Sequence, residues 1–258
     1  MYKILANTLF LGKNLVFVPE CHSTNTLALE LCQQSCPPEG TLIITNKQTA
    51  GRGQRGNSWE SEPAMNLTCS LILKPTFLSI KDQFLLSMIT ALAIADSLRS
   101  HLLNNNIEIK WPNDILVNEF KIGGILIENQ LAGDQFSSVV IGIGLNITQK
   151  QFASPTATSL SLMTGSDHDL QQILELVMSA FEARYLMLRQ NRVKELRDDY
   201  LAHLYRFRKP TSFVAADKRF VGEISGVDEQ GKLRVVIDGQ EKTFDTKQLV
   251  FEHYYNKI

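Results

Sequence analysis

Apolar residues recur along the chain in two rhythms. Between residues 82 and 103, Phe84, Leu85, Met88, Leu92, Ala95 and Leu98 fall at helical spacing, so the stretch predicts a helix with one apolar stripe. A second helix is predicted after Ser23-Thr24-Asn25, where Leu27, Ala28 and Leu31 repeat. A Ser, Thr or Asn at such a boundary can accept hydrogen bonds from the unpaired first-turn amides. Residues 169–190 and 193–204 predict two further helices. Short β-branched or continuously apolar runs at 41–45, 66–73, 107–110, 120–128 and 138–147 read as strands. Between them, 50–57 is a Gly-rich basic loop, Trp111-Pro112-Asn113-Asp114 a turn, and 149–166 loop-like. From Pro210 the character changes to short strands at 213–215, 219–227, 233–237 and 241–244, with Asp238-Gly239 as a hairpin signal. The expected class is α+β: a mixed sheet with flanking helices over 1–208, then a small β-barrel over 209–258.

Composition narrows the function classes. A chain of 258 residues suits one main domain with a small appendage. With 44% apolar and 21% charged residues it can bury a core without covalent staples. The net charge of −1 argues against a nucleic-acid binder of the electrostatic kind, so any nucleotide must be held by a local site. Lys3, Asn7, Lys13 and Asn14 interrupt the apolar N-terminal stretch, which argues against a signal peptide. No apolar run reaches bilayer-spanning length, so no membrane partner is expected. Cys32 and Cys36 lie four apart on a predicted helix, but no other Cys or His pair has matching ligand spacing. With Cys21 and Cys69 they read as free thiols of a reducing cytoplasm.

Four stretches carry chemistry. Gly51, Gly53 and Gly56 alternate with Arg52 and Arg55 in one loop, where bare backbone amides and forked guanidinium donors suit an anion. No Gly-Lys-Ser/Thr follows and the glycine spacing is not that of a dinucleotide fingerprint. Taken alone, the loop is equally a basic surface loop. Lys110-Trp111-Pro112-Asn113-Asp114 offers a cation beside an Asn-Asp pair that suits hydrated Mg²⁺, a purine edge or a ribose. Lys121 stands at a strand start beside Gly123 and Gly124, and Gly142 and Gly144 open a β-branched strand next to Asn146. The bland alternatives are a Pro-Asn-Asp turn and glycine-weakened strands. Trp59 and Trp111 read as core residues.

Together these stretches resemble, in order and spacing, the catalytic domain of biotin–protein ligases, the family that includes the bacterial biotin repressor-ligase. The matching residues are Ser23-Thr24-Asn25, the loop from Gly51 to Gly56, the segment from Lys110 to Asp114, Lys121-x-x-Gly-Ile-Leu-Ile-Glu128, and Gly142-x-Gly-Leu-Asn146. The loop departs from the family at Gln54 and Asn57, where basic residues are usual; the lost charge at 54 bears on how firmly a reactive adenylate is held. Absence of an Arg-Arg-x-Ser-Gly-Gly-Gly loop argues against a lipoate ligase or octanoyltransferase. About two dozen residues precede Ser23, too few for a helix-turn-helix DNA-reading module, so a monofunctional enzyme is expected.

The resemblance implies a class II synthetase-like fold with an SH3-like C-terminal barrel, and a cytoplasmic enzyme. It would make biotinyl-5′-AMP from biotin and ATP with Mg²⁺, then transfer biotin to a lysine of a biotin carboxyl carrier protein. It implies Lys121, Arg52, Arg55 and Lys110 as catalytic cations. Biotin would contact Ser23, Thr24, Asn25, Gln48, Gly51, Arg52, Gly53, Gln54, Lys121, Gly124 and Gly142. ATP would contact Arg55, Lys110, Asn113, Asp114 and Asn146, with Asp114 as the metal ligand. Homodimerisation through a sheet edge is common in the family.

Overall fold

The computed structural model describes residues 2–246 and 248–252, apart from the side chain of Arg55. The elements run β1 (Leu15–Cys21), α1 (Thr24–Ser35), β2 (Leu42–Gln48), β3 (Asn66–Leu73), α2 (Phe84–Arg99), β4 (Ile107–Lys110), β5 (Asp114–Val117), β6 (Phe120–Ala132) and β7 (Gln135–Asn146). Helices α3 (Leu160–Thr164), α4 (Leu170–Arg189) and α5 (Val193–His203) follow. Strands β8 (Pro210–Ala215), β9 (Lys218–Val227), β10 (Leu233–Ile237), β11 (Gln240–Phe244) and β12 (Val250–Phe251) end the chain. The first seven strands form one mixed sheet in the order β1-β2-β3-β7-β6-β5-β4, in which β1 and β2 are parallel and the other neighbours antiparallel. The remaining five form an antiparallel sheet, β11-β10-β9-β8-β12.

Alternation along β3 and β7 sorts side chains onto two faces. Leu67, Cys69 and Leu71 join Ile141, Ile143 and Leu145 in the large core, which α2 and α4 cover. On the opposite face α1 packs through Ala28 onto Ile43, Ile72 and Val140. That face is only partly covered, and where it lacks a helix Thr68, Ser70, Gly142 and Gly144 stand side by side in register: Thr68 opposite Gly144, Ser70 opposite Gly142. One face is therefore an apolar core and the other, beyond α1, a floor with polar and bare positions.

The two sheets share a single core. Phe213, Ile224, Leu233, Val235 and Phe251 belong to the same buried cluster as Trp111, Ile109 and Tyr205. Trp111 is 4% exposed and donates from Nε1 to the Gly231 carbonyl at 2.8 Å, across the junction. Gly231 has φ +88°, and a Cβ there would meet Phe84 of α2 at 2.5 Å, so both its conformation and its surroundings require glycine. At the other end of the chain Glu182 of α4 accepts the amides of Leu9, Phe10 and Leu11, which fixes the N-terminal segment beneath the sheet.

Several elements differ from the sequence reading. β1 lies in the N-terminal stretch, read above only for a leader, and its pattern of half-buried positions carries no clean alternation. Residues 149–166 contain the short helix α3. Asp114 does not end a turn; it opens β5 and pairs with Lys110 across a hairpin. Ser23 occupies the N-cap position of α1, yet its hydroxyl makes no cap bond. The Thr24 amide donates instead to Gln48 Oε1 at 2.8 Å.

Candidate functional site

A cavity of about 410 Å³ opens on the polar face of the large sheet, within the usual range for small-ligand sites. Its walls come from the start of α1, the ends of β2 and β3, the Gly-rich loop, the β4–β5 turn, β6, β7 and the β11–β12 connection. The sheet brings these together because β3, β7, β6 and β5 are consecutive neighbours. Residues more than a hundred positions apart in sequence thus face one space.

Of the residues expected at a site, Ser23, Thr24, Asn25, Gln48, Arg52, Gly53 and Gln54 line this cavity, as do Asn113, Asp114, Lys121, Gly124 and Gly142. Gly51, Lys110 and Asn146 do not line it. The side chain of Arg55 lies outside the described residues. Gly51 backs the wall: a Cβ there would meet the Trp59 carbonyl at 2.5 Å. Asn146 donates from Nδ2 to Thr158 O at 2.9 Å, and its buried Oδ1 has no partner among the described residues. Thr158 in turn donates its amide to Lys121 O, while the Lys121 amide donates to Thr156 O. Asn146 is thus linked to Lys121 through the 156–158 segment.

The cations are held by carboxylates. Lys121 Nζ lies 2.6 Å from Asp114 Oδ1, and Lys110 Nζ 3.7 Å from Asp114 Oδ2. Burial pushes the Lys110 ammonium below its ordinary pKa; the nearby Asp114 charge opposes that and the Lys121 charge adds to it. Arg52 Nη2 pairs with Glu128 Oε2 at 2.6 Å. Both oxygens of Asp114 therefore face ammonium groups. Among the described residues no cluster of three His, Cys, Asp or Glu side chains could hold a metal. This donor set does not fit a protein-held Mg²⁺ at Asp114, which would have to displace two lysines. It suits an anion that arrives with its own cation.

A polar network lines the α1 end. Thr24 meets Gln48 Oε1 through both its amide and its hydroxyl, and Ser70 Oγ lies within 2.7 Å of Thr24 Oγ1 and 2.6 Å of Asn25 Oδ1. These groups could reorient toward a ligand rich in donors and acceptors. The two β7 glycines turn out to admit the protein's own side chains. A Cβ on Gly142 would lie 2.4 Å from Asn25 Oδ1, and one on Gly144 would lie 2.4 Å from Trp59 Cε2.

Trp59 is the main correction to the sequence reading. It lines the cavity rather than belonging to the core; its indole lies over Gly144 and close to Gly124, with Lys121 Nζ 5.7 Å from the ring centroid. Trp111, by contrast, is the core residue expected. The sequence signal for Trp59 was its place directly after the glycine loop. Thr68 and Thr246 also line the cavity unanticipated, Thr246 reaching it from the β11–β12 connection. Cys69 borders the cavity, but its side chain is part of the apolar core and burial pushes its thiol up to about 12. Burial likewise raises the Cys21 thiol. Neither is a thiolate nucleophile at neutral pH, which removes thiol-based acyl transfer by these two groups.

Known proteins resemble this chain in sequence and in fold. Residues 18–146 match the model of the Biotin/lipoate A/B protein ligase family. The bifunctional ligase/repressor BirA of Bacillus spizizenii is 32% identical over 240 residues, 86% of this chain and 69% of that protein. The biotin–[acetyl-CoA-carboxylase] ligase of Paracoccus denitrificans is 32% identical over 82% of this chain and 89% of its own length. Among solved structures, the biotin protein ligase of Aquifex aeolicus in complex with biotin and ATP superposes with a TM-score of 0.76 at 24% identity, covering 92% of this chain and 98% of that one, a likeness of fold. With the family model matched over half its length and relatives this similar across most of their own, the chain belongs to the Biotin/lipoate A/B protein ligase family.

Proposed function

We propose that this chain is a biotin–protein ligase: it joins biotin to ATP and passes the biotinyl group to a lysine of a biotin carboxyl carrier protein. The observation that carries the reading is one cavity that gathers Arg52, Lys121 and Asp114 beside the hydroxyl and amide groups of Ser23, Thr24 and Gln48. A relative at 32% identity is named as a biotin–[acetyl-CoA-carboxylase] ligase, which supports it.

In the first step the biotin carboxylate attacks the α-phosphate of ATP and pyrophosphate leaves. Two anions must meet, so the main task of the site is charge neutralisation and alignment. Lys121 is assigned to the forming bond, between the carboxylate and the phosphate. Asp114 holds that ammonium in place, and Lys110 behind it adds positive potential from a partly buried position. The polar groups at the start of α1 and Gln48 suit the ureido ring of biotin, and Trp59 offers a flat apolar wall. Asn113 and Asp114 are assigned to the nucleotide, with Arg52 and Arg55 at the anionic groups. Asn146 positions Lys121 through residues 156–158. Mg²⁺ enters as part of the MgATP substrate. In the second step the carrier lysine attacks the acyl carbon of the anhydride and AMP departs.

The four cysteines are free, which fits a reducing cytoplasm. Among the described residues no helix is long and apolar enough to cross a membrane. A homodimer built through an edge of the large sheet would use β1, since Leu204 and Tyr205 pair with Ile109 along the outer edge of β4, and sedimentation would detect it. The deciding experiment incubates the protein with biotin, ATP, Mg²⁺ and a carrier domain and reads the intact mass of the carrier. A biotinyl adduct that disappears when any one component is omitted is expected. A carrier of unchanged mass, with no biotin-dependent pyrophosphate release, would overturn the reading.

A further inference from the structure

Glu128 closes the Lys121-to-Glu128 motif, yet it stands outside the cavity lining and has no part in the chemistry above. One of its oxygens does two things. Oε2 accepts from Arg52 Nη2 at 2.6 Å and from Asn25 Nδ2 at 2.9 Å. Asn25 is 2% exposed and immobilised: Nδ2 also reaches Leu126 O at 3.1 Å, Oδ1 lies 2.6 Å from Ser70 Oγ, and the Gly142 backbone presses against it. The carboxylate is thereby fixed to the sheet. Within the loop, Arg52 pairs with Ser58 through the backbone, and Gly53 N to Asn57 O and Trp59 N to Gly51 O close residues 51–59 on themselves. The Arg52 side chain reaches out of that hairpin to Glu128.

We infer that Glu128 is a positioning residue that latches the glycine-rich loop to β6 by holding Arg52 at the cavity wall. The guanidinium has five N–H donors, and the pair engages Nη2, so the remaining donors can still meet an anion in the cavity. The latch therefore orients Arg52 without competing for it. Its strength is that of a half-exposed ion pair, the two side chains being 42% and 27% exposed, so its loss should change loop opening by about twofold to fivefold.

The test has an arm that needs no ligand. Trypsin is added to ligand-free wild type, Glu128→Gln, Glu128→Asp, Arg52→Gln and the double variant Glu128→Gln/Arg52→Gln, and cleavage after Arg55 is timed by mass. Each single variant should be cut about twofold to fivefold faster than wild type. The double variant should be cut no faster than either single one, because both break the same contact. Arg52→Gln leaves β6 untouched, so the comparison survives if the Glu128 variants fold poorly. A second arm rests on the ligase reading: in Glu128→Gln, kcat/KM for biotin should fall by the same factor at an unchanged melting temperature, a pairing that general loosening would not give. Unchanged cleavage in Arg52→Gln, or additive rates in the double variant, would overturn the latch. Failure of wild type to turn over biotin would overturn the ligase reading and leave the proteolysis result to decide the latch.

Discussion

At the scale of single residues, the site is built from charges that are already paired. Lys121 rests on Asp114 and Arg52 on Glu128, so neither cation is presented bare. Such pairs cost little to form near the surface and keep long side chains aimed at one place. Lys121→Ala should lower biotin-dependent pyrophosphate release by about a hundredfold or more, the scale of a lost charge-stabilising donor, while the melting temperature moves little. Release within a factor of a few of wild type would remove Lys121 from the chemistry. Cys69 makes a prediction of the opposite sort, about stability alone. Burial raises its folded-state pKa from 9.0 to about 12, so the unfolded chain loses this proton first as pH rises. The group's stabilising contribution is complete below about pH 9 and is lost progressively toward about pH 12. Urea titrations at pH 8 to 11 should show stability falling less steeply in Cys69→Ala than in wild type; identical slopes would mean the thiol is not shielded. That variant will also start from a lower stability, because it leaves a small cavity in the core.

At the scale of elements, the β4–β5 hairpin matters most, since it places Lys110, Asn113 and Asp114 and is gripped from two sides. Strand β5 anchors it within the sheet, and the β9–β10 turn grips its Trp111 through Gly231. Trp111→Phe keeps an apolar ring but removes the donor and part of the buried volume, leaving the Gly231 carbonyl without that partner beside a small cavity. A loss of about 1–3 kcal/mol in denaturant unfolding is expected. If the hairpin geometry depends on this contact, KM for ATP should rise as well, with KM for biotin less affected. A variant with unaltered stability would mean that water replaces the bond.

At the scale of the whole molecule, the two sheets share one apolar cluster, and Thr246, in the β11–β12 connection of the second, contributes to the cavity on the first. Thermal or urea unfolding should therefore follow a single transition by both far-ultraviolet circular dichroism and tryptophan fluorescence. Two separated transitions would show that the unit over 209–258 folds on its own. The sequence determined the periodic elements by itself: α2 and α4 from their apolar stripes, β3 and β4 to the residue, and the Asp238-Gly239 turn, where both residues have positive φ. It offered the glycine loop and the Lys121 segment only as candidates, each with a bland reading of its own, until their order and spacing together carried the family resemblance. These are local properties, fixed by spacing and by backbone freedom. Only the tertiary structure decided what lies opposite what. Trp59 looks like any core aromatic until β7 places Gly144 beneath its ring, and β1 becomes a strand because β2 offers it a parallel partner. Ser23 has the composition of a cap yet makes no cap bond, and the first helical amide, Thr24 N, is met by Gln48, 24 residues further along the chain. Pairings of this kind depend on sheet order, and sheet order follows from burying one common apolar face, which no short window of sequence contains.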